Sequence, residues 1–188
     1  MSKIQKISSY IIFILTALLI WFPLFWVLGS YFIDAPFTQA LLNNSMQPSV
    51  VHTALGDYHL TSMTWTPLAK SILFMSYVAG NIPFYIGLIL LRSIFVNYRS
   101  GHVFTIANAK LYKYLGSLFF IDAFISTPIS GALSVLSVTI HNPPGERLIS
   151  IGFSTTNLET LFCGIMIIII SWVMLEASKL EEDQRLVV

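Results

Sequence analysis

One cysteine, Cys163, stands in a chain of 188 residues. A single thiol excludes an intramolecular disulfide, a four-cysteine zinc site and a Cys-x-x-Cys redox centre. It lies in an apolar run and reads as a small buried hydrophobe. Charge is scarce as well. Only 10% of the residues are Asp, Glu, Lys or Arg, against about 25% in a soluble domain. The formal net charge is +1, which supplies none of the cationic excess that direct nucleic-acid binding draws on. The chain also lacks a Walker loop, Gly-x-Ser-x-Gly, His-Glu-x-x-His and Gly-x-Gly-x-x-Gly. No nucleophile or metal constellation is visible. No catalytic, cofactor or metal residues are therefore expected, and an enzyme is the lowest-ranked reading. No inverted repeat of the transporter kind is evident either.

What the chain has is apolar sequence in long blocks. Hydrophobic residues make up 55% of it, and the mean hydropathy is +0.76. A soluble protein of this size must cover its surface with polar groups, and this chain cannot. The reading is an all-α integral membrane bundle of four transmembrane helices, with spans at about 7–29, 71–91, 116–140 and 156–175. No charge falls between Lys6 and Asp34. A cleaved signal peptide competes for that first segment, but its apolar run exceeds the usual 7–15 residues of a signal core, so an anchor is expected. Trp21, Trp26 and Trp172 suit membrane interfaces. Pro83 and Pro128 should kink their spans. Gly80 and Gly87 in span 2, and Ser126, Ser130 and Ser134 with Gly131 in span 3, form small faces for close helix contact.

The polar segments complete the plan. Residues 30–70 form an outer loop, in which Val50 to Trp65 alternates loosely and suggests a hairpin around Leu55-Gly56-Asp57. Residues 92–113 form a basic loop with a helix start at Thr105, a plausible N-cap for a helix over 106–115. The charged tail 176–188 reads as an extension of the fourth helix. It offers Glu176 to Lys179 and Glu181 to Arg185 as side-chain pairs. Lys and Arg then set orientation. With the N-terminus inside, Lys3, Lys6, Arg92, Arg99, Lys110, Lys113, Lys179 and Arg185 are cytoplasmic, and only Lys70 and Arg147 are outside. Both termini are therefore expected in the cytoplasm.

Few residues stand out as candidate sites. Asp122 falls inside the third span, where a carboxylate is costly and is a functional candidate by default. The plain alternative places it near the cytoplasmic headgroups, within reach of Lys113 or Arg92. Arg92, Arg99, Lys110 and Lys113 form an acid-free cluster suited to a protein partner or to anionic lipid headgroups; setting topology alone also explains them. His52 and His59, with Asp57, would meet a metal only if a hairpin gathered them, and solvated loop histidines are the simpler reading. Asn157 and Glu159 read as an ordinary helix entry.

The spacing Phe95-x-x-Tyr98-x-x-Gly101-x-x-Phe104-Thr105-x-x-Asn108-x-x-Leu111, followed by Gly116, resembles the loop of a bacterial membrane family, domain of unknown function 2975. The close, with Glu176-Ala177-x-x-Leu180-Glu181-Glu182 and Leu186-Val187, is similar too. Family members often carry an acid just before the loop asparagine, completing a capping box; here that position is Ala107, so the cap rests on Thr105. The resemblance implies a four-helix protein of the bacterial cytoplasmic membrane. Members are often encoded beside a small helix-turn-helix regulator, so it also implies a regulatory pairing, and it implies no reaction. The first expectation is thus a non-enzymatic membrane regulator or adaptor with a cytoplasmic protein partner or a second copy of itself. The second is a small transport or channel component that uses Asp122.

Overall fold

A computed structural model of the chain describes residues 3–44, 50–54, 56–60, 63–143, 145–151 and 155–186. In chain order these form α1 (Lys3–Tyr31), α2 (Pro36–Asn44), β1 (Val50–Thr53), β2 (Gly56–His59), α3 (Pro67–Arg99), α4 (Ile106–Ile121), a π-helical turn (Asp122–Ser126), α5 (Thr127–Thr139) and α6 (Thr155–Leu186). The protein is all-α apart from one antiparallel hairpin, with Val51 opposite Tyr58 and His52 opposite Asp57. That hairpin lies within the expected stretch 50–65, but it ends at His59, and Gly56 and Asp57, expected in the turn, open β2.

Four helices are long and apolar enough to cross a membrane: Lys3–Tyr31, Pro67–Arg99, Ile106–Thr139 and Asn157–Leu180. Between 17% and 28% of the most apolar window of each is buried within the protein. The rest of that surface needs a solvent as apolar as itself. Phe13, Trp21 and Phe25 on α1, and Phe162, Ile165 and Ile169 on α6, are all exposed. Backbone polar groups inside such helices are satisfied within the segment, which is why helices suit a bilayer. The chain is a multi-pass membrane protein on these grounds. Cys163 is exposed on α6, which corrects its reading as a buried residue. The helix that carries it turns most of its apolar surface outward.

Within the basic segment 92–113, the helix expected over 106–115 is present as the start of α4, and α3 continues through 92–99. The segment is helical except for a turn at 100–105. Polar side chains do not end a helix. Gly101, the first glycine after Gly87, marks the actual stop.

The described chain divides into two compact units, with borders inside helices. The first comprises residues 1–21, 83–124 and 154–188. Its principal helix contact is α4 against α6. Small residues recur every seven positions on both partners: Ala109, Gly116 and Ala123 on one, Asn157, Gly164 and Ser171 on the other. They meet in antiparallel order. A Cβ on Gly116 would lie 3.0 Å from the Gly164 carbonyl oxygen, and one on Gly164 would lie 3.1 Å from the Gly116 oxygen. On either side of this glycine crossing one polar side chain reaches across. Ser171 Oγ donates to the Ala109 carbonyl at 2.7 Å, and Asn157 Nδ2 donates to the Ala123 carbonyl at 2.7 Å. Without a hydrophobic drive between helices in lipid, close packing and such bonds are what hold a pair together. Nothing in the reading of small faces had included this seam.

The second unit comprises residues 22–82 and 125–153. Its core is Ile33, Leu60, Leu73 and Val138, with Val51, Tyr58, Met63, Trp65 and Tyr77 against it. Burying each such aliphatic side chain from water is worth about 1.5–3 kcal/mol. Pro67 suits the first turn of α3 because it lacks an N–H that would go unpaired there, and Thr66 Oγ1 accepts from Ala69 N at 3.4 Å. Lys70 Nζ bonds Asp34 Oδ1 at 2.8 Å and the Tyr31 carbonyl at 3.1 Å. Here the expected small face is real. A Cβ on Gly80 would lie 2.7 Å from Ser130 Oγ, and Ser76 Oγ donates to the Ser130 carbonyl at 2.8 Å. Gly131 has nothing within 4 Å of where its Cβ would be, so it takes no part in that contact.

Candidate functional site

The turn between α3 and α4 is the most densely constrained segment of the first unit. Helix α3 stops at Gly101, whose φ of +86° is a left-handed conformation. Gly101 N bonds the Tyr98 carbonyl and His102 N bonds the Asn97 carbonyl, both at 3.0 Å. This is the Schellman pattern, which satisfies the last helical carbonyls and favours glycine. Helix α4 opens at Thr105, whose side chain accepts from Asn108 N at 3.2 Å. The expected N-cap is present.

Asn108 fixes the remainder. It is fully buried. Its Nδ2 donates to the carbonyls of His102 at 2.8 Å and Val103 at 2.9 Å. Its Oδ1 accepts from Asn97 Nδ2 at 2.6 Å. One side chain thus ties both helices to the turn. A buried amide satisfied on all sides stabilises, whereas its removal would strand two loop carbonyls. Tyr98 and Tyr112 add a hydroxyl contact at 3.0 Å, and Phe95 packs edge-on against Tyr98 with centroids 5.7 Å apart.

Beside this turn lies a half-open groove of about 420 Å³, lined by residues 101–107 together with Ser178 and Glu182 of α6. Phe104 is 49% exposed and Ile106 45% exposed at its margin. The basic residues of 92–113 are not among its lining residues. Arg99, Lys110 and Lys113 are exposed. Arg92 is different: its Nε donates to Thr16 Oγ1 of α1 at 3.0 Å, so it is drawn into the unit. On the tail, Glu176 pairs with Lys179 at 3.2 Å. The other expected pair, Glu181 with Arg185, lies outside the described side chains.

Asp122 opens the π-helical turn Asp122–Ser126 and is half-buried. The turn has an identifiable cause. Pro128 lacks an N–H and would crowd the carbonyl four residues before it. Widening the preceding turn relieves both problems, and Asn157 then satisfies the Ala123 carbonyl. π-turns are over-represented at functional positions. Asp122 lies 17 residues past the Thr105 cap, or ~25 Å along the axis at helical rise. Lys113 lies ~13 Å nearer the connector by the same measure. That separation is long for the contact expected between them.

The histidines have local partners. His52 Nδ1 lies 2.7 Å from Asp57 Oδ1, and His141 Nε2 lies 2.7 Å from Thr66 Oγ1. The strand register places His52, Asp57 and His59 on one face. Among the described residues no three or more His, Cys, Asp or Glu are grouped to hold a metal ion. Asp34 is a perturbed titratable group of the hairpin-bearing unit. The Lys70 hydrogen bond holds its carboxyl below the usual carboxylate range.

With this geometry established, comparison with known proteins adds one finding. The chain belongs to the family described as "Protein of unknown function (DUF2975)", whose model matches residues 51–188. No curated protein matches it, and no solved structure matches it. The matched stretch contains the connector and the whole α4–α6 seam; α1 and Thr16 lie before it.

Proposed function

We propose that this chain is a non-enzymatic regulator or adaptor of the bacterial cytoplasmic membrane that engages a soluble protein at the connector. The observation that carries the reading is the division of labour in residues 97–108. Gly101, Thr105, Asn97 and Asn108 direct their polar groups into the backbone of the turn. Phe104 and Ile106 are left exposed beside a groove. A hydrogen-bonded turn that presents an aromatic and an aliphatic side chain, in a segment that also carries exposed Arg99, Lys110 and Lys113, suits protein docking, because little entropy is lost on binding. The lysine and arginine bias supports a cytoplasmic position for this face and for both termini. A small helix-turn-helix regulator is the partner that the family resemblance favours.

The test is affinity purification of the tagged full chain from native membranes in mild detergent. A small DNA-binding protein should be recovered, then lost with Phe104→Asp and with Arg99, Lys110 and Lys113 changed to Gln. Recovery of the chain alone would count against the proposal. The π-turn favours a second reading, in which Asp122 lines a polar path in a transport or channel component. Asp122→Asn should then abolish flux in proteoliposomes while leaving partner recovery intact.

A further inference from the structure

Arg92 closes the uncharged stretch 71–91 of α3, and among the described residues one hydrogen bond, from its Nε to Thr16 Oγ1, is made by its guanidinium. Thr16 lies ten residues past Lys6, the last charge before the apolar run of α1, or ~15 Å along that helix. Arg92 lies seven residues before Arg99 on α3, or ~10 Å along its axis. Both frames put the guanidinium inward of the outermost charges of this unit, and Arg92 is the first charge after the uncharged stretch 71–91 of α3.

The local chemistry orients it. Thr16 Oγ1 donates its proton to the Ile12 carbonyl at 2.7 Å, so a lone pair is what it presents to Arg92 Nε. Arg92 is partly exposed. A guanidinium has five N–H donors in a planar fork. Thr16 takes one, and the two terminal nitrogens carry the other four. The three ion pairs among the described residues involve other groups. A cation so placed is costly without an anion.

We propose that Arg92 binds the phosphate of a membrane phospholipid, held by Thr16 so that its terminal nitrogens form a bidentate clamp. Phosphate is the anion that a bilayer supplies at this depth, and its oxygens match the guanidinium fork where a point-charge ammonium would not. Exposed Lys110 and Lys113 on α4 extend the cationic zone and favour lipids of net negative charge. The inference rests on membrane insertion alone and is independent of the docking proposal.

The experiment compares the full chain in nanodiscs of phosphatidylglycerol with nanodiscs of an uncharged, phosphate-free diacyl glycolipid of matched chains. Thermal unfolding and lipid retained in native mass spectrometry are read. Wild type should retain phosphatidylglycerol roughly tenfold more than glycolipid, as expected for a charge-assisted pair. Arg92→Gln should reduce that ratio to about twofold or less. Equal retention of the two lipids by wild type, or unchanged preference in folded Arg92→Gln, overturns the proposal. If Arg92→Gln does not fold, Thr16→Val carries the test: its preference should fall several-fold, and an unchanged preference overturns the clamp. Inorganic phosphate added to glycolipid nanodiscs separates the sources. Full stabilisation by free phosphate would overturn the lipid assignment.

Discussion

Replacing Gly116 with alanine should separate α4 from α6. The new Cβ would lie 2.7 Å from Ile168 Cγ1, 3.0 Å from the Gly164 oxygen and 3.2 Å from Ile168 N. Two of these atoms are backbone, so rotation of a side chain cannot relieve them. Restoring ordinary contact requires the helices to part by roughly half an ångström or more, enough to forfeit a quarter to a half of each flanking dispersion contact. Overpacking of this kind costs about 1–3 kcal/mol. The Ser171 and Asn157 bonds to facing carbonyls stretch together, and interhelical bonds in membrane bundles average about 0.6 kcal/mol each. The expected loss is therefore about 2–4 kcal/mol for Gly116→Ala, from these terms together. Gly164→Ala should lose a similar amount, since its Cβ meets Phe119 Cβ at 2.9 Å. The double variant should fall short of the sum, because one separation relieves both clashes. Gly131→Ala is the internal control. Nothing lies within 4 Å of its Cβ position, so it reports the helix-propensity gain of alanine by itself. The assay is reversible denaturation in mixed micelles, followed by Trp fluorescence. A Gly116→Ala protein as stable as Gly131→Ala would refute the close-packed seam.

Three other outcomes are expected. Gly80→Ala should be destabilising by about 1–3 kcal/mol, and Ser130→Ala should recover part of it by removing the hydroxyl 2.7 Å from the new Cβ; failure of the pair to couple in the same denaturation assay would count against this contact. Asn108→Ala removes the donor to two part-buried loop carbonyls and should cost about 1–3 kcal/mol locally. Hydrogen exchange is the check, with faster exchange confined to residues 97–108; unchanged protection there would contradict the role given to Asn108. Asp34 has its carboxyl held below the ordinary value of 3.8 by Lys70, so its pairing stabilises the folded form above about pH 4 and fades as pH falls through the lowered value. Wild type and Lys70→Gln should thus differ in thermal stability near neutral pH at low salt and converge once the pH has fallen below the lowered value. A constant difference across that range would exclude the ion pair as its source.

The four spans were legible because apolar length alone decides them. The hairpin was legible from alternation, and the Thr105 cap from residue type and position. The Gly80–Ser130 contact was legible because its residues recur on a helical spacing within one span each. The α4–α6 seam was not. Its positions mix Ala, Gly, Asn and Ser, so no single residue type repeats. Ala109 also falls before the expected start of span 3 at 116, in the short helix over 106–115. A search for small residues at seven-residue spacing in both segments would have found it. Pro128 announced an irregular helix, but the π-turn upstream depends on the Asn157 amide, which looked like a helix entry. Arg92 looked like a topology charge because its partner Thr16 is 76 residues away in sequence.

The motif that carries the family resemblance divides by what its atoms do. Gly101 supplies a backbone conformation. Thr105 and Asn108 direct their polar groups to the turn itself. Tyr98 faces Tyr112 and Phe95. None of these is free to recognise anything without unmaking the connector, so a shared motif of this kind preserves a shape. On the docking proposal, specificity would then lie in the positions between them. His102, Phe104, Ile106 and Ala107 are exposed around the groove, and their identities place no demand on the turn's hydrogen bonds. If partners differ among proteins that share the connector, exchange of those four side chains should move partner choice while leaving stability nearly unchanged. Exchange of Gly101, Thr105 or Asn108 should do the reverse. Measuring binding and unfolding on the same set of variants separates recognition from architecture. A variant at Phe104 that lost stability as severely as Asn108→Ala would place Phe104 among the architectural residues and remove the docking proposal's central contact.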